Sequence, residues 1–186
     1  MAGAARMTAS RPRGLRRLGL LAALAAAVTD QATKAWALAA LWPPYGEGVA
    51  LLPVLNLRLG FNTGVTFGMF RESAADAVWV LVAAKLLVVA FLARWLWRTA
   101  SRAEALGLGL VIGGAAGNIL DRVARGAVTD FIDAHYGGWH WPTFNMADVA
   151  IVCGVATLVL GGLRRSEGAA SPPARRNADT PAAGPP

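Results

Sequence analysis

The chain has 186 residues, of which 55% are apolar and 16% charged, with a formal net charge of +7 and a mean hydropathy of +0.45. That balance excludes an ordinary soluble core and points to a membrane protein. The positive charge does not indicate nucleic acid, because Lys and Arg lie in short runs flanking apolar segments rather than gathered on one face. Two histidines and one cysteine leave no disulfide framework within the chain and argue against a Cys/His zinc site.

Residues 1–14 are polar, carry Arg6, Arg11 and Arg13, and read as a disordered tail. A first span is expected over about 15–36. Its start, Arg16-Arg17 before an Ala/Leu run, also mimics a secretory leader. Three further long apolar segments favour the span. Asp30, Thr33 and Lys34 fall in its last turns on one face. Residues 37–75 break the pattern at Trp42-Pro-Pro-Tyr-Gly46, then alternate over Val54–Asn62 and turn at Asn62-Thr-Gly-Val-Thr-Phe-Gly68. A small sheet or strand pair lying on the membrane surface is expected there.

The second span is expected over about 76–97. Lys85 falls near its middle, where snorkelling is difficult, so it either pairs with a carboxylate or marks a protein-facing side. The third, over about 105–120, carries Gly109, Gly113 and Gly117 at i, i+4, i+8, a stripe that lets another helix approach closely. The fourth is expected over about 147–163, with Cys153 as a small packing residue and a disordered tail over 165–186. Twelve basic residues flank one side of these spans and five the other, which puts both termini in the cytoplasm.

This orientation brings separate polar segments to one level. Spans one and three run outward and deliver Asp30, Lys34, Asn118, Asp121 and Arg122 to the outer face. Span four starts there with Asn145 and Asp148, and Asp130 belongs to the outer connection. In a chain with eleven acidic residues, such a layer calls for a function. Two carboxylates held close cannot both ionise cheaply, so one keeps a proton while the other draws a proton from water. Taken singly, Asp130 also suits a turn and Asp148 a helix N-cap. A proton-coupled transporter would use buried acids too, but near the midplane and with internal repeats. A structural membrane subunit would explain the helices but not the polar motifs.

Five ordered segments resemble bacterial lipoprotein signal peptidase (signal peptidase II). They are Asp30-Gln-Ala-Thr-Lys34, Asn62-Thr-Gly-Val-Thr-Phe67, Gly113-Gly-Ala-Ala-Gly-Asn118-Ile-Leu-Asp121-Arg122, Val128-Thr-Asp130-Phe131 and Phe144-Asn145-Met-Ala-Asp148. Each is weak alone; five in order, over about residues 15–163, are specific. The resemblance implies an all-α membrane protein of four transmembrane helices with a small extracytoplasmic β-cradle (37–75). It implies an aspartic endopeptidase of the bacterial cytoplasmic membrane, cleaving prolipoproteins just before a diacylglyceryl-modified cysteine and inhibited by globomycin. Asp130 and Asp148 match the catalytic pair. Asp30, Lys34, Asn62, Asn118, Asp121, Arg122 and Asn145 match positions that bind substrate or support the site. Thr66 departs from the alanine or serine expected there.

Each of these residues also suits a plain structural role. Asp121-Arg122 is expected to be a structural pair, and Asn118 and Asn145 to bond backbone or orient a carboxylate. Asn62 suits a turn, with Gly64 allowing backbone to lie close to a bound peptide. Asp30–Lys34 is either a local ion pair or a substrate or lipid contact. His135 and His140 read as solvated loop residues, and Trp139 and Trp141 as part of an interfacial aromatic belt. No metal or cofactor is expected. Expected partners are prolipoprotein substrates and membrane lipids, with the chain acting as a monomer.

Overall fold

Four apolar runs become four helices: α1 (Arg11–Ala40), α2 (Ala74–Leu96), α3 (Arg102–Arg125) and α4 (Met146–Ala170). The computed structural model describes residues 11–64 and 74–170. Thr66 and the rest of its motif lie outside the described residues, as does most of each expected tail. Helix runs further than the expected spans, taking in Arg11–Gly14 of the first tail and residues 165–170 of the second.

Three of these helices are long and apolar enough to cross a membrane by length and composition, over Val78–Leu96, Arg102–Arg125 and Met146–Leu163. α1 is not among them. It is rich in alanine, and its last turns carry Asp30, Gln31 and Lys34, which lower its hydropathy although the helix is 30 residues long.

α3 is central and packs against α1, α2 and α4. The glycine stripe explains how. A methyl group added at Gly113 would overlap the Ala23 carbonyl of α1, and one at Gly117 would overlap the Asp30 carboxylate. Gly114 does the same job on a second face, where an added methyl would meet the Ala147 carbonyl of α4. The expected close approach is therefore present, and it serves two partners. Gly117→Val is expected to force α1 off α3, at a cost of about 1–3 kcal/mol by overpacking. Thermal unfolding in detergent should show a lowered midpoint.

The surface sheet is larger than its local sequence suggests. β1 (Val49–Leu52), β2 (Leu55–Asn62), β3 (Val128–Tyr136) and β4 (Trp139–His140) form one antiparallel sheet in the order β1-β2-β3-β4. Half of it thus comes from the connection between α3 and α4, beyond the 37–75 segment expected to supply it. Gly60 pairs with Asp130 and Leu57 with Ile132, so β2 carries one extra residue between them. Such a bulge bends the strand and re-aims neighbouring side chains, here directly beside Asp130. Leu59 and Phe131 from the sheet pack against Ala37 of α1, and Trp36 meets Phe131 edge-on at 6.4 Å. These contacts seat the sheet on the end of α1.

A candidate active site of paired carboxylates

α3 ends at a left-handed Gly126, whose amide bonds the Arg122 carbonyl at 2.9 Å. β3 begins two residues later. The same short connection therefore ends a helix and starts the strand carrying Asp130. β3 then returns to Asn145, immediately before α4. Asp148 receives the Asn145 backbone amide at 3.2 Å, while Asn145 Oδ1 receives the Asp148 amide at 3.1 Å. This is a reciprocal helix-start arrangement in which Asn145 is the N-cap and Asp148, expected as the cap, stands three residues into the turn.

Asn145 joins the two acids. Its side-chain amide donates to Asp130 Oδ1 at 2.6 Å and also reaches Asn118 Oδ1 at 3.2 Å and the Thr129 carbonyl at 3.3 Å. Asn118 in turn donates to Asp148 Oδ1 at 3.0 Å. Asn62 adds a side-chain hydrogen bond to Asp130, and its own Oδ1 accepts the Gly64 amide at 2.8 Å. The turn and site roles of Asn62 therefore coincide. Gly64 has φ +76°, and a side chain there would run into Leu81 and the Arg122 guanidinium. Only glycine suits that position.

Asp130 is almost wholly buried. Burial pushes its carboxyl up to about 6, with the Asp148 charge adding to the rise, while hydrogen bonds from Asn145 and Asn62 pull the other way. Desolvation disfavours the charged form, and a neighbouring carboxylate disfavours it further. The arrangement thus provides two carboxyl groups that feel each other's charge, one of them holding a proton more readily than a free aspartate.

Beneath the pair lies a sealed ionic cluster. Lys34 Nζ meets Asp30 at 2.8 Å, Asp121 at 3.2 Å and Asn118 Oδ1 at 2.9 Å, and Lys34, Asp30 and Asp121 have no accessible surface. Asp30 also accepts the Ala147 amide of α4 at 2.9 Å. These two residues are framework, closed off from any lipid or peptide contact. Asp121 accepts the Thr129 amide at 2.8 Å, one residue before Asp130, and so holds β3 to α3.

Three sequence readings need correction. Asp121 does not form an ion pair with Arg122; its partners are Arg125, at 2.7 Å, and Lys34, at 3.2 Å. Residues i and i+1 point to different sides of a helix, whereas i and i+4 share a face. Arg122 instead donates to the Asn118 carbonyl at 3.3 Å, leaving its buried Nε without a protein partner among the described residues. Neither histidine is a solvated loop residue: His135 is half-buried on β3, and His140 belongs to the paired strand beside it. His140 sits on β4, bonds the buried Asp133 at 2.8 Å and stacks on His135. Cys153 is exposed on the outer face of α4 beside Val152, so it is not a packing residue within the bundle.

Gln31, Arg125, Thr129 and Asp133 escaped the sequence reading. Gln31 donates to Asp30, Asp121 and the Gly117 carbonyl, each at 3.2 Å. Its place beside Asp30 in the first motif was the available signal.

The profile described as Signal peptidase (SPase) II matches residues 22–164. A lipoprotein signal peptidase of Beijerinckia indica subsp. indica is 43% identical over 152 residues, covering 82% of this chain and 91% of the relative. Those of Methylobacterium sp. (strain 4-46) and Methylorubrum extorquens are 46% and 41% identical, covering 77% and 90% of this chain and 87% and 98% of theirs. Two solved structures, each described as a bacterial membrane enzyme obtained by the in meso method, share the fold. Their TM-scores are 0.67 and 0.63 at 24% and 25% identity, covering 87% and 78% of this chain and 93% and 92% of theirs. The matched stretch contains every residue of the acid–amide network, from Asp30 to Asp148, and on these likenesses the chain belongs to the signal peptidase II family.

Proposed function

We propose that this protein is a membrane aspartic endopeptidase that removes signal peptides from diacylglyceryl-modified prolipoproteins, cutting just before the lipid-modified cysteine. The observation that carries this reading is Asn145, whose side chain bonds Asp130 and whose backbone exchanges hydrogen bonds with Asp148. The bridge places both carboxyl groups beside one another at one end of the bundle, next to the sheet. A water between them loses a proton to the ionised member as it attacks the scissile carbonyl. The other member, with Asp130 the readier holder of the proton, donates to the carbonyl oxygen. The same proton inventory, run in reverse, releases the amine.

All four helices span the bacterial cytoplasmic membrane in this reading, with both termini cytoplasmic and the pair near the extracytoplasmic face. α1 crosses by virtue of its length, its charged side chains being turned inward to Asp121, Asn118 and Ala147. The sheet forms the cradle over the extended end of the leader, with Gly64 against the peptide backbone. The diacyl chains remain in lipid, and a single copy holds the whole site.

Purified protein should cut a diacylglyceryl-modified prolipoprotein immediately before the modified cysteine, leave the unmodified precursor intact and be inhibited by globomycin. Mass spectrometry of the products reads the site of cleavage. Cleavage elsewhere, or proton-gradient-dependent transport without cleavage, would remove this assignment.

A further inference from the structure

Lys85 is the one ionisable residue of α2 between Asp76 and Arg94, and the network described above does not use it. Val78, Val82 and Val89 stand at i−7, i−3 and i+4 from it, and this face packs against Ile119 of α3. Lys85 is half-buried, while Ala84, Leu86, Leu87 and Val88 around it are exposed. The lysine thus lies on the inward face of its helix.

Its direction follows from helix geometry. Side chains lean toward the N-terminus of their own helix. The N-terminal half of α2 packs beside Ile119, the neighbour of Asn118, whereas Leu96 at the other end packs on Ala105 and Leu108. The four-carbon stem of Lys85 therefore runs toward the level of the carboxyl pair. Its ammonium is within electrostatic reach of Arg122 from α3, Asp148 from α4, Lys34 from α1 and Asp130 from β3. The Lys34 charge is already matched by Asp30 and Asp121, and that of Arg125 by Asp121. Asp130 feels Lys34 as well; Arg122 and Lys85 are the cations near Asp130 and Asp148 that form no close ion pair among the described residues. Lys85 makes none of the close ion pairs found among the described residues, so it acts through space.

We propose that Lys85 is a positioning residue for the Asp130–Asp148 pair, its ammonium on the inward face of α2 setting the pH range over which the two carboxyls share one proton. The inference rests on the aspartic-pair reading above. A positive charge at this distance favours ionised carboxylates and opposes proton uptake. It thereby shifts the window of the singly protonated pair toward lower pH.

The test compares the full chain with Lys85→Met, Lys85→Gln and Lys85→Arg in one detergent, against a diacylglyceryl-modified prolipoprotein across pH. Loss of the charge should move both limbs of the kcat/KM profile upward by about one pH unit, with the peak value kept within severalfold. Lys85→Arg should return the limbs to their original position. Limbs that stay in place in the neutral variants would overturn the proposal. So would neutral variants that lose folded protein, or lose activity equally at every pH, since either result makes Lys85 a packing residue. Asp130→Asn serves as the separate control. If that variant still cleaves, the aspartic-pair reading itself is overturned; if it is silent while the limbs stay unmoved, only the role of Lys85 is lost.

Discussion

Asp130→Asn and Asp148→Asn should each reduce prolipoprotein cleavage by on the order of 10⁴-fold, as loss of one member of a catalytic unit does, while membrane insertion and thermal stability change little. The geometry separates these effects. Asparagine at 130 keeps an oxygen to accept the Asn145 amide, now 2.6 Å away, and asparagine at 148 keeps one for the Asn145 backbone amide while giving up the bond from Asn118. Neither can take a proton from water. Asp130→Asn also removes the carboxyl that burial pushes up to about 6. In the unaltered protein the proton leaves Asp130 as pH rises through that value, so kcat/KM should fall on the alkaline side of about 6. Rates from single-turnover cleavage, beside circular dichroism and thermal melts of the same preparations, check both parts. Retained cleavage by either variant would exclude the pair as the source of the reaction.

The helices were legible because each is a long apolar run, and the polar motifs were legible because acids and amides stand out beside such runs. What carried them to one level was helix direction, which alternates along a chain of successive spans. Pairing across the sheet was not legible. Gly60 meets Asp130 through contacts far apart in sequence, and periodicity describes only a strand's own neighbours. The second half of the sheet and the hydrogen bonds of His140 and Asn56 to Asp133 were missed for that reason. The Arg125–Asp121 pair is a different case. Its i, i+4 spacing was visible in the sequence, but Arg122 drew attention because it is adjacent to Asp121 in the motif.

The coexistence of capping and site roles has a physical consequence. Asp148 and Asn145 are held by the backbone at the start of α4, and Asp130 by a strand whose previous residue is pinned through the Thr129 amide to Asp121. Both carboxyls therefore sit on regular elements whose backbone hydrogen bonds fix their direction. Preorganisation of this kind lets a pair act on an attacking water without rearranging at the moment of reaction.

Lys34→Met should be the most damaging change outside the pair, because it removes the cation from a cluster that has no access to water. Asp30 would lose its 2.8 Å partner and Asp121 one of its two cations, with Arg125 remaining to the latter. Breaking a buried pair by deleting one partner typically costs about 3–5 kcal/mol, since the remaining charge stays buried and unmatched. Asn118 would lose the shorter of the two bonds to its Oδ1, leaving the Asn145 amide at 3.2 Å as the remaining hold on the orientation that aims its own amide at Asp148. A displaced catalytic group costs on the order of 10²-fold in rate, so cleavage should drop even at temperatures where the variant remains folded. The double variant Asp30→Asn/Lys34→Met distinguishes the two contributions. Neutralising Asp30 removes the unmatched charge, so much of the thermal stability should return, whereas Asn118 still lacks the lysine donor and cleavage should stay low. A double variant no more stable than Lys34→Met would show that the lysine stabilises the bundle by filling space rather than by matching charge.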